Sequence, residues 1–314
     1  MAKNKIPRII AEVRSFPGMP ATAAKLVALM DNPDSTAVQI EDILKYDPGL
    51  TANLLKLTNS AYFGIPNKVS SIRQATVLLG RKRLIQLVLT MCMSSVMLKP
   101  VPGYDLPRGE LWRHSIAVSV AAEILVKALG ITAAEEIFTA ALLHDIGKLV
   151  LGAFVQEDLP EIKAMVAKGI SFEVAEYIAL GTDHAQIGAH ILKNWSFPAE
   201  LFTAIRWHHD PESCEGIRTV TDIVHLANAL GLMAVGGQHP ENLPGPPSSA
   251  VTQRLGLDPI DLERLTQGTL QGVNQLADVL GAQPLAGRPG QGECFWVTIT
   301  ENRPIATEFG RCGA

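Results

Sequence analysis

Seven of the chain's eight histidines fall between His114 and His225, interleaved with acidic residues at spacings that suit metal chemistry. Glu110 and His114 are four residues apart, so on a helix both point into one pocket. His144 and Asp145 adjoin within the apolar run Ala141-Leu-Leu-His-Asp-Ile-Gly-Lys148, read as part of a helix. Burying such a pair is costly unless its members are paired or hold a metal. Helical neighbours diverge by about 100°, so the pair suits a larger cluster in which the carboxylate can bridge two ions. Lys148 lies four residues after His144, where an ammonium can meet a phosphate. His184 follows Asp183 at a helix start. His208-His209-Asp210-Pro211 sits where a helix ends, which frees adjacent side chains to converge.

A lone buried histidine is more often a hydrogen-bonded core residue than a ligand, and His190 and His225 are read that way. His239, in a Pro/Gly-rich stretch, reads as solvated. What favours a metal is the coincidence of Glu110, His114, His144, Asp145, His184, His208 and His209 within about 100 residues of apolar helix. Nitrogen and carboxylate donors of this mix suit one or two divalent transition ions, Fe, Mn, Zn or Ni, rather than Ca or Mg alone. No thiolate is near.

The elements that must position these groups are helical almost throughout. Apolar stripes predict helices over Ala21–Met30, around Val38–Leu44, from Pro48 after an Asp47 cap, over Ser70–Leu79 and over Leu84–Met97. Beyond the Lys99-Pro-Val-Pro-Gly joint they continue at about 107–129, 134–151, 157–168, 171–180, 183–194, 198–208 and 217–235. Gly236 to Ala250 holds seven Gly or Pro in fifteen positions and reads as a linker. One more amphipathic helix is expected over Asp258–Leu280, and Cys294–Thr300 is the single strand candidate. The expected architecture is all-α, divided into an N-terminal helical part (1–100), a metal-binding part (101–235), the linker (236–250) and a C-terminal tail (251–314).

Composition narrows the class. The 314 residues are 47% hydrophobic and 18% charged, with a net charge of −4, which argues against a general nucleic-acid or anionic-membrane binder. Leu84 to Leu98 is the most membrane-like stretch, and it falls short of the roughly 20 residues a span needs. Residues 1–10 carry no long apolar segment of the secretory kind. Four scattered cysteines with no CxxC pair suit a reducing cytoplasm. Arg81-Lys82-Arg83 reads as a solvated helix start, Met91-Cys92-Met93 and Met97 as core filler, and Trp207 as packing around the histidines. The apolar helix at 84–98 suits burial between subdomains or a homodimer interface.

These residues resemble known families. His114, His144-Asp145 and the downstream histidines are similar to the HD superfamily of metal-dependent phosphohydrolases. The N-terminal half resembles the HDOD (HD-related output domain) family: Phe16-Pro-Gly-Met-Pro; Asp47-Pro48-Gly-Leu-Thr-Ala-Asn-Leu-Leu-Lys-Leu-Thr-Asn59-Ser60-Ala-Tyr62-Phe-Gly64; Ser71-Ile72-Arg-Gln-Ala75; and Leu78-Leu79-Gly80. The resemblance covers about residues 10–235. It implies an HD-like helical bundle with an HDOD-specific N-terminal subdomain, acting as a regulatory module in bacterial signalling with a protein partner. The order Glu110, His114, His144, Asp145, His184, His208, His209 resembles the metal ligands of HD-GYP cyclic-di-GMP phosphodiesterases, with Lys148 matching the lysine of the HDxGK motif. In that family a GYP loop follows the paired histidines, and here the chain reads His-His-Asp-Pro-Glu-Ser. The last acidic ligand falls to Asn228 by position, with Asp222 as the alternative.

Two functions follow as expectations. One is a regulatory HDOD protein that retains a metal site. The other is an active phosphohydrolase on a cyclic nucleotide or another phosphoester, in which Asp145 holds metal and Lys148 steadies the phosphate.

Overall fold

A computed structural model of the chain describes residues 5–30, 35–44, 47–131, 134–216, 218–235 and 247–280. Fifteen α-helices run through them: α1 (Ile6–Ser15), α2 (Ala21–Met30), α3 (Ala37–Leu44), α4 (Pro48–Thr58), α5 (Ile72–Leu79), α6 (Arg81–Met97), α7 (Glu110–Leu129), α8 (Ala134–Leu143), α9 (Lys148–Val166), α10 (Phe172–Leu180), α11 (His184–Asn194), α12 (Ala199–Trp207), α13 (Thr219–Val235), α14 (Ser249–Arg254) and α15 (Pro259–Leu280). No strand occurs among the described residues, which bears out the all-α expectation; the strand candidate Cys294–Thr300 and His239 lie outside them.

The core forms around α7, which is apolar on nearly every face and is therefore surrounded. Val118, Ala121, Ala122 and Leu125 are fully buried against Ile137, Ala140 and Ala141 of α8 and Ile223, Leu226, Ala227 and Leu230 of α13. Small residues let these helices approach closely. A Cβ on Gly231 of α13 would come within 2.8 Å of the Val118 side chain and 3.1 Å of its backbone nitrogen. The C-terminal helices join this body: Val251 of α14 and Leu265 of α15 are buried in the same cluster.

The N-terminal motif is a staple. Asn59 donates to the Leu55 and Val69 carbonyls (2.7 and 2.8 Å) and accepts from Val69 N (2.8 Å), pinning the loop that follows α4. Tyr62 Oη donates to Glu123 of α7 at 2.6 Å, and Arg83 pairs with the same carboxylate. Arg83 also lies over the Phe63 and Phe138 rings. The basic run is thus a helix start as expected, but Arg83 is spent inside the fold, linking α6 to α7 and α8.

The structure departs from or adds to the sequence reading at three places. The helix expected over 134–151 breaks after Leu143, and α9 then runs unbroken from Lys148 through the expected gap at 152–156. Gly152, inside α9, is a contact point, where a Cβ would meet Val101 at 2.6 Å. Residues 6–15 form α1, which the sequence pattern did not reveal. It docks on α9 through Lys5 to Asp158 (2.7 Å), Arg8 to Glu157 (3.0 Å) and the buried Ile9. Finally, 84–98 is too short to span, as expected; among the described residues the segment with the length and hydropathy of a membrane span is Glu136–Val166, and 83% of its apolar window is buried inside the fold.

Candidate metal centre

The cluster is built at the break between α8 and α9. Residues 144–147 form turns, tightened by Ile146 N to Leu143 O (3.0 Å) and Lys148 N to Asp145 O (3.0 Å). These i→i−3 bonds replace α-helical ones, so His144 and Asp145 turn toward each other instead of diverging. The turn also lets α11 come close. A Cβ on Gly147 would sit 2.0 Å from His184 O and 2.6 Å from Gly188 N. Asp183 caps α11 by accepting from Gln186 N at 2.7 Å, which fixes His184 as its first residue. His208 and His209 follow directly on the end of α12, as the Asp210-Pro211 signal implied.

Five histidines and Asp145 converge. His114 Nε2 and His144 Nε2 are 3.2 Å apart, and they lie 3.5 and 3.3 Å from Asp145 Oδ2. On the other side of the carboxylate, His184 Nε2 is 3.3 Å from Asp145 Oδ1 and 2.9 Å from His209 Nε2, and His208 Nε2 is 3.9 Å from Oδ1. Metal–nitrogen bonds of about 2.1 Å give donor–donor edges of about 3.0–3.4 Å in tetrahedral or octahedral shells, so both groups have coordination dimensions. Two overlapping sets thus share Asp145: Asp145, His184, His208 and His209; and His114, His144 and Asp145.

Tautomers sharpen the point. His144 Nδ1 pairs with Ala141 O (2.8 Å), His208 Nδ1 with Ile205 O (2.7 Å) and His184 Nδ1 with a Glu176 oxygen (2.7 Å). Each Nδ1 is therefore the protonated nitrogen, and the Nε2 lone pairs face one another across the cluster. Lone pairs brought this close are stabilised by a shared cation. Asp145 Oδ1 and His208 Nε2 are buried and receive no hydrogen bond from the protein. A metal ion is the partner these atoms fit.

Electrostatics agree. Burial, reinforced by His144, lowers the His114 pKa to about 3. Burial and the neighbouring imidazoles hold His208 and His209 well below the usual histidine value. Burial works against charging His184 as well, yet the Glu176 carboxylate raises its pKa above the usual value. Burial opposes ionising Asp145 too, but His144 and Lys148 hold it well below the ordinary carboxylate range. Neutral imidazoles around an ionised carboxylate are the state that binds divalent ions.

Not every expected residue joins. Glu110 pairs with Arg113 at 2.6 Å and lies outside both donor sets. Asp222 forms a two-pronged pair with Arg254 of α14 (2.8 and 3.0 Å), tying α13 to that helix. Asn228 stands beside His114, and its Oδ1 completes no hydrogen bond. Lys148 donates to Asp145 Oδ2 at 2.6 Å and lies over the Tyr104 ring at 5.5 Å. His225 is structural as expected, bonding His208 O at 2.8 Å. His190 is exposed rather than part of the core, because it sits on the solvent face of α11. Trp207 stacks with Arg206 at 4.1 Å.

Sequence reasoning missed Glu176 and Tyr104. Glu176 is fully buried on α10 and accepts from His184 N (2.9 Å), His184 Nδ1 and Tyr104 Oη. A carboxylate behind a ligating imidazole fixes its orientation and raises its basicity. The available signal was position: Phe172, Glu176 and Leu180 form an i, i+4 stripe whose other members are apolar.

The chain is similar in sequence and fold to known proteins. The chain is 27% identical over 246 residues to an uncharacterised Treponema pallidum protein, covering 77% of this chain and 47% of that one, so it spans about half the length of the curated relative it matches. Its fold is similar to the crystal structure of a candidate phosphohydrolase from Shewanella amazonensis (28% identity, TM-score 0.68, covering 87% of this chain and 97% of that one). It is also similar to an HDOD domain protein of unknown function from Geobacter sulfurreducens (23% identity, TM-score 0.65, covering 88% and 97%). The HDOD domain model matches residues 16–211, from Phe16 through both paired histidines. With that match spanning more than half its length, the chain belongs to the HDOD family.

Proposed function

We propose that this protein is a bacterial signalling regulator whose HD-like half retains a transition-metal centre of one or two ions, with Fe or Mn expected first and Zn or Ni also compatible with the donors. The observation that carries the reading is the convergence of Nε2 lone pairs on an Asp145 oxygen that no protein donor satisfies. His114, His144, Asp145, His184, His208 and His209 would hold the metal. When bound, such an ion supplies Lewis acidity and charge neutralisation. The protein's own contribution is rigidity: the turn at 144–147 fixes Asp145, and Glu176 fixes His184. His144, Asp145 and His208 are almost wholly buried, leaving the edge formed by His114, Lys148 and His209 as the approach. That geometry suits a metal that stabilises and reports on a conformation read by a protein partner. The surface charge gives no reason to invoke nucleic acid or a membrane.

One observation favours hydrolysis as a second reading. Lys148 stands on the approach edge beside the donors, where it could hold a phosphate of a nucleotide or other phosphoester, and a structural relative is described as a candidate phosphohydrolase. An assay separates the two. Protein purified without chelator is analysed for metal and then tested with Mn or Fe on cyclic di-GMP and a generic phosphodiester. Metal without turnover supports the regulatory reading; turnover abolished by Asp145→Ala makes the protein an enzyme.

A further inference from the structure

The two donor sets are not equivalent, and the difference lies in how Asp145 uses its oxygens. Oδ1, facing His184 and His208, receives no hydrogen bond from the protein. Oδ2, facing His114 and His144, accepts from the Lys148 ammonium at 2.6 Å. We propose that the resident ion occupies the four-donor position of Asp145 Oδ1, His184, His208 and His209. Lys148 acts as the cation at the three-donor position, so that a second ion binds there weakly until an anion draws Lys148 away. This specifies a loading order for the metal centre argued above and rests on that reading.

Three features support the asymmetry. The first is donor number, four against three. The second is support behind the donors. In the four-donor set His184 is held by Glu176, and His208 by the Ile205 carbonyl. In the other set His144 is held by Ala141 O, but His114 has only the neutral Asn228 beside it, and His114 Nδ1 completes no hydrogen bond. The third is charge. The buried Glu176 carboxylate lies behind the four-donor position, whereas the Lys148 ammonium stands on the oxygen that the three-donor position needs. An ion and an ammonium on one carboxylate oxygen repel each other. Lys148 keeps an exit, since its side chain is 16% exposed. A phosphate on the approach edge would compete with Asp145 for the ammonium and uncover Oδ2. Binding of anion and second ion is then mutually reinforcing, as linkage requires.

The test is a cobalt titration of the 314-residue chain after chelator treatment, followed by visible absorption and elemental analysis. The expected result is one tight equivalent and a second at least 100-fold weaker. Lys148→Met tightens the second step tenfold or more and leaves the first within threefold. Asn228→Asp, which adds a carboxylate beside His114, tightens the second step independently, so a misfolded lysine variant does not end the test. Inorganic phosphate tightens the second step in the wild type and has no effect in Lys148→Met. Two equal steps in the wild type overturn the proposal. So does a first step that His114→Ala abolishes and His208→Gln spares, with the metal-centre reading left standing. Absence of any cobalt binding overturns that reading itself.

Discussion

Replacing Gly147 by alanine tests how the fold builds the site. Gly147 has ordinary right-handed helical geometry, φ −61° and ψ −25°. On backbone grounds alone, alanine should therefore stabilise the chain by about 0.4–1 kcal/mol. Packing predicts the opposite. The added methyl would lie 2.0 Å from His184 O and 2.6 Å from Gly188 N, both backbone atoms. A carbon needs about 3.3 Å from a carbonyl oxygen, so α11 must retreat by about 1.3 Å at its first residue. Overpacking against backbone that cannot swing aside costs about 3 kcal/mol, at the upper end of the usual range. The net loss is about 2 kcal/mol, or about 3–4 °C in Tm for a chain of this size. The same retreat pulls His184 from Asp145 and should weaken metal binding about tenfold or more. Thermal melts in chelator and cobalt titrations on one preparation measure both effects. A Tm equal to or above wild type would refute the packing argument; a lowered Tm with unchanged cobalt affinity would refute the link from Gly147 to His184.

Three further outcomes are expected. Glu176→Ala leaves three buried donors unpaired, costing about 2–4 kcal/mol and lowering metal affinity about 10–100-fold; Glu176→Gln should restore much of the stability in denaturant titrations but less of the affinity. Asn59→Ala removes three hydrogen bonds, two of which pin the loop to Val69, so chemical denaturation should show a loss of about 2–3 kcal/mol, with cobalt binding unchanged. Acid should destabilise the chelator-treated chain. The His114 pKa is lowered to about 3, and His208 and His209 are lowered too, so below about pH 6.5 the unfolded chain takes up protons that the native chain refuses. Stability then falls as pH drops, by about 1 kcal/mol per group between pH 6.5 and 5.5. His184, with its raised pKa, contributes stability that is present below about pH 6.5 and lost as pH rises through its folded value, so it does not offset that fall. Melts that are flat from pH 7 to 5.5 would contradict the neutral imidazoles.

The helical class, most helix positions and the central donors were readable from the sequence because their signals are local. Asp47-Pro48 caps and opens α4, and the Asp183 carboxylate caps α11, as such residues should. The apolar setting of His144-Asp145 pointed to a metal without knowledge of the fold. What stayed hidden depends on distant partners. Gly147 and Gly152 sit in apolar runs that give no sign of the helices pressed against them. Helix α1 owes its place to Glu157 and Asp158, about 150 residues away. Glu110 shares a helical face with His114, but Arg113 is close enough to take its carboxylate. Glu176 shares an apolar stripe with Phe172 and Leu180, but its role shows only when α11 delivers His184 to it.

The most direct test of the account is the metal content of the chain purified without chelator, measured by elemental analysis beside His208→Gln. The account predicts at least one equivalent of transition metal per wild-type chain. It also predicts loss of that metal in a variant whose circular dichroism stays helical. A metal-free wild type after growth with iron and manganese, or a folded His208→Gln that keeps its full complement, would contradict it.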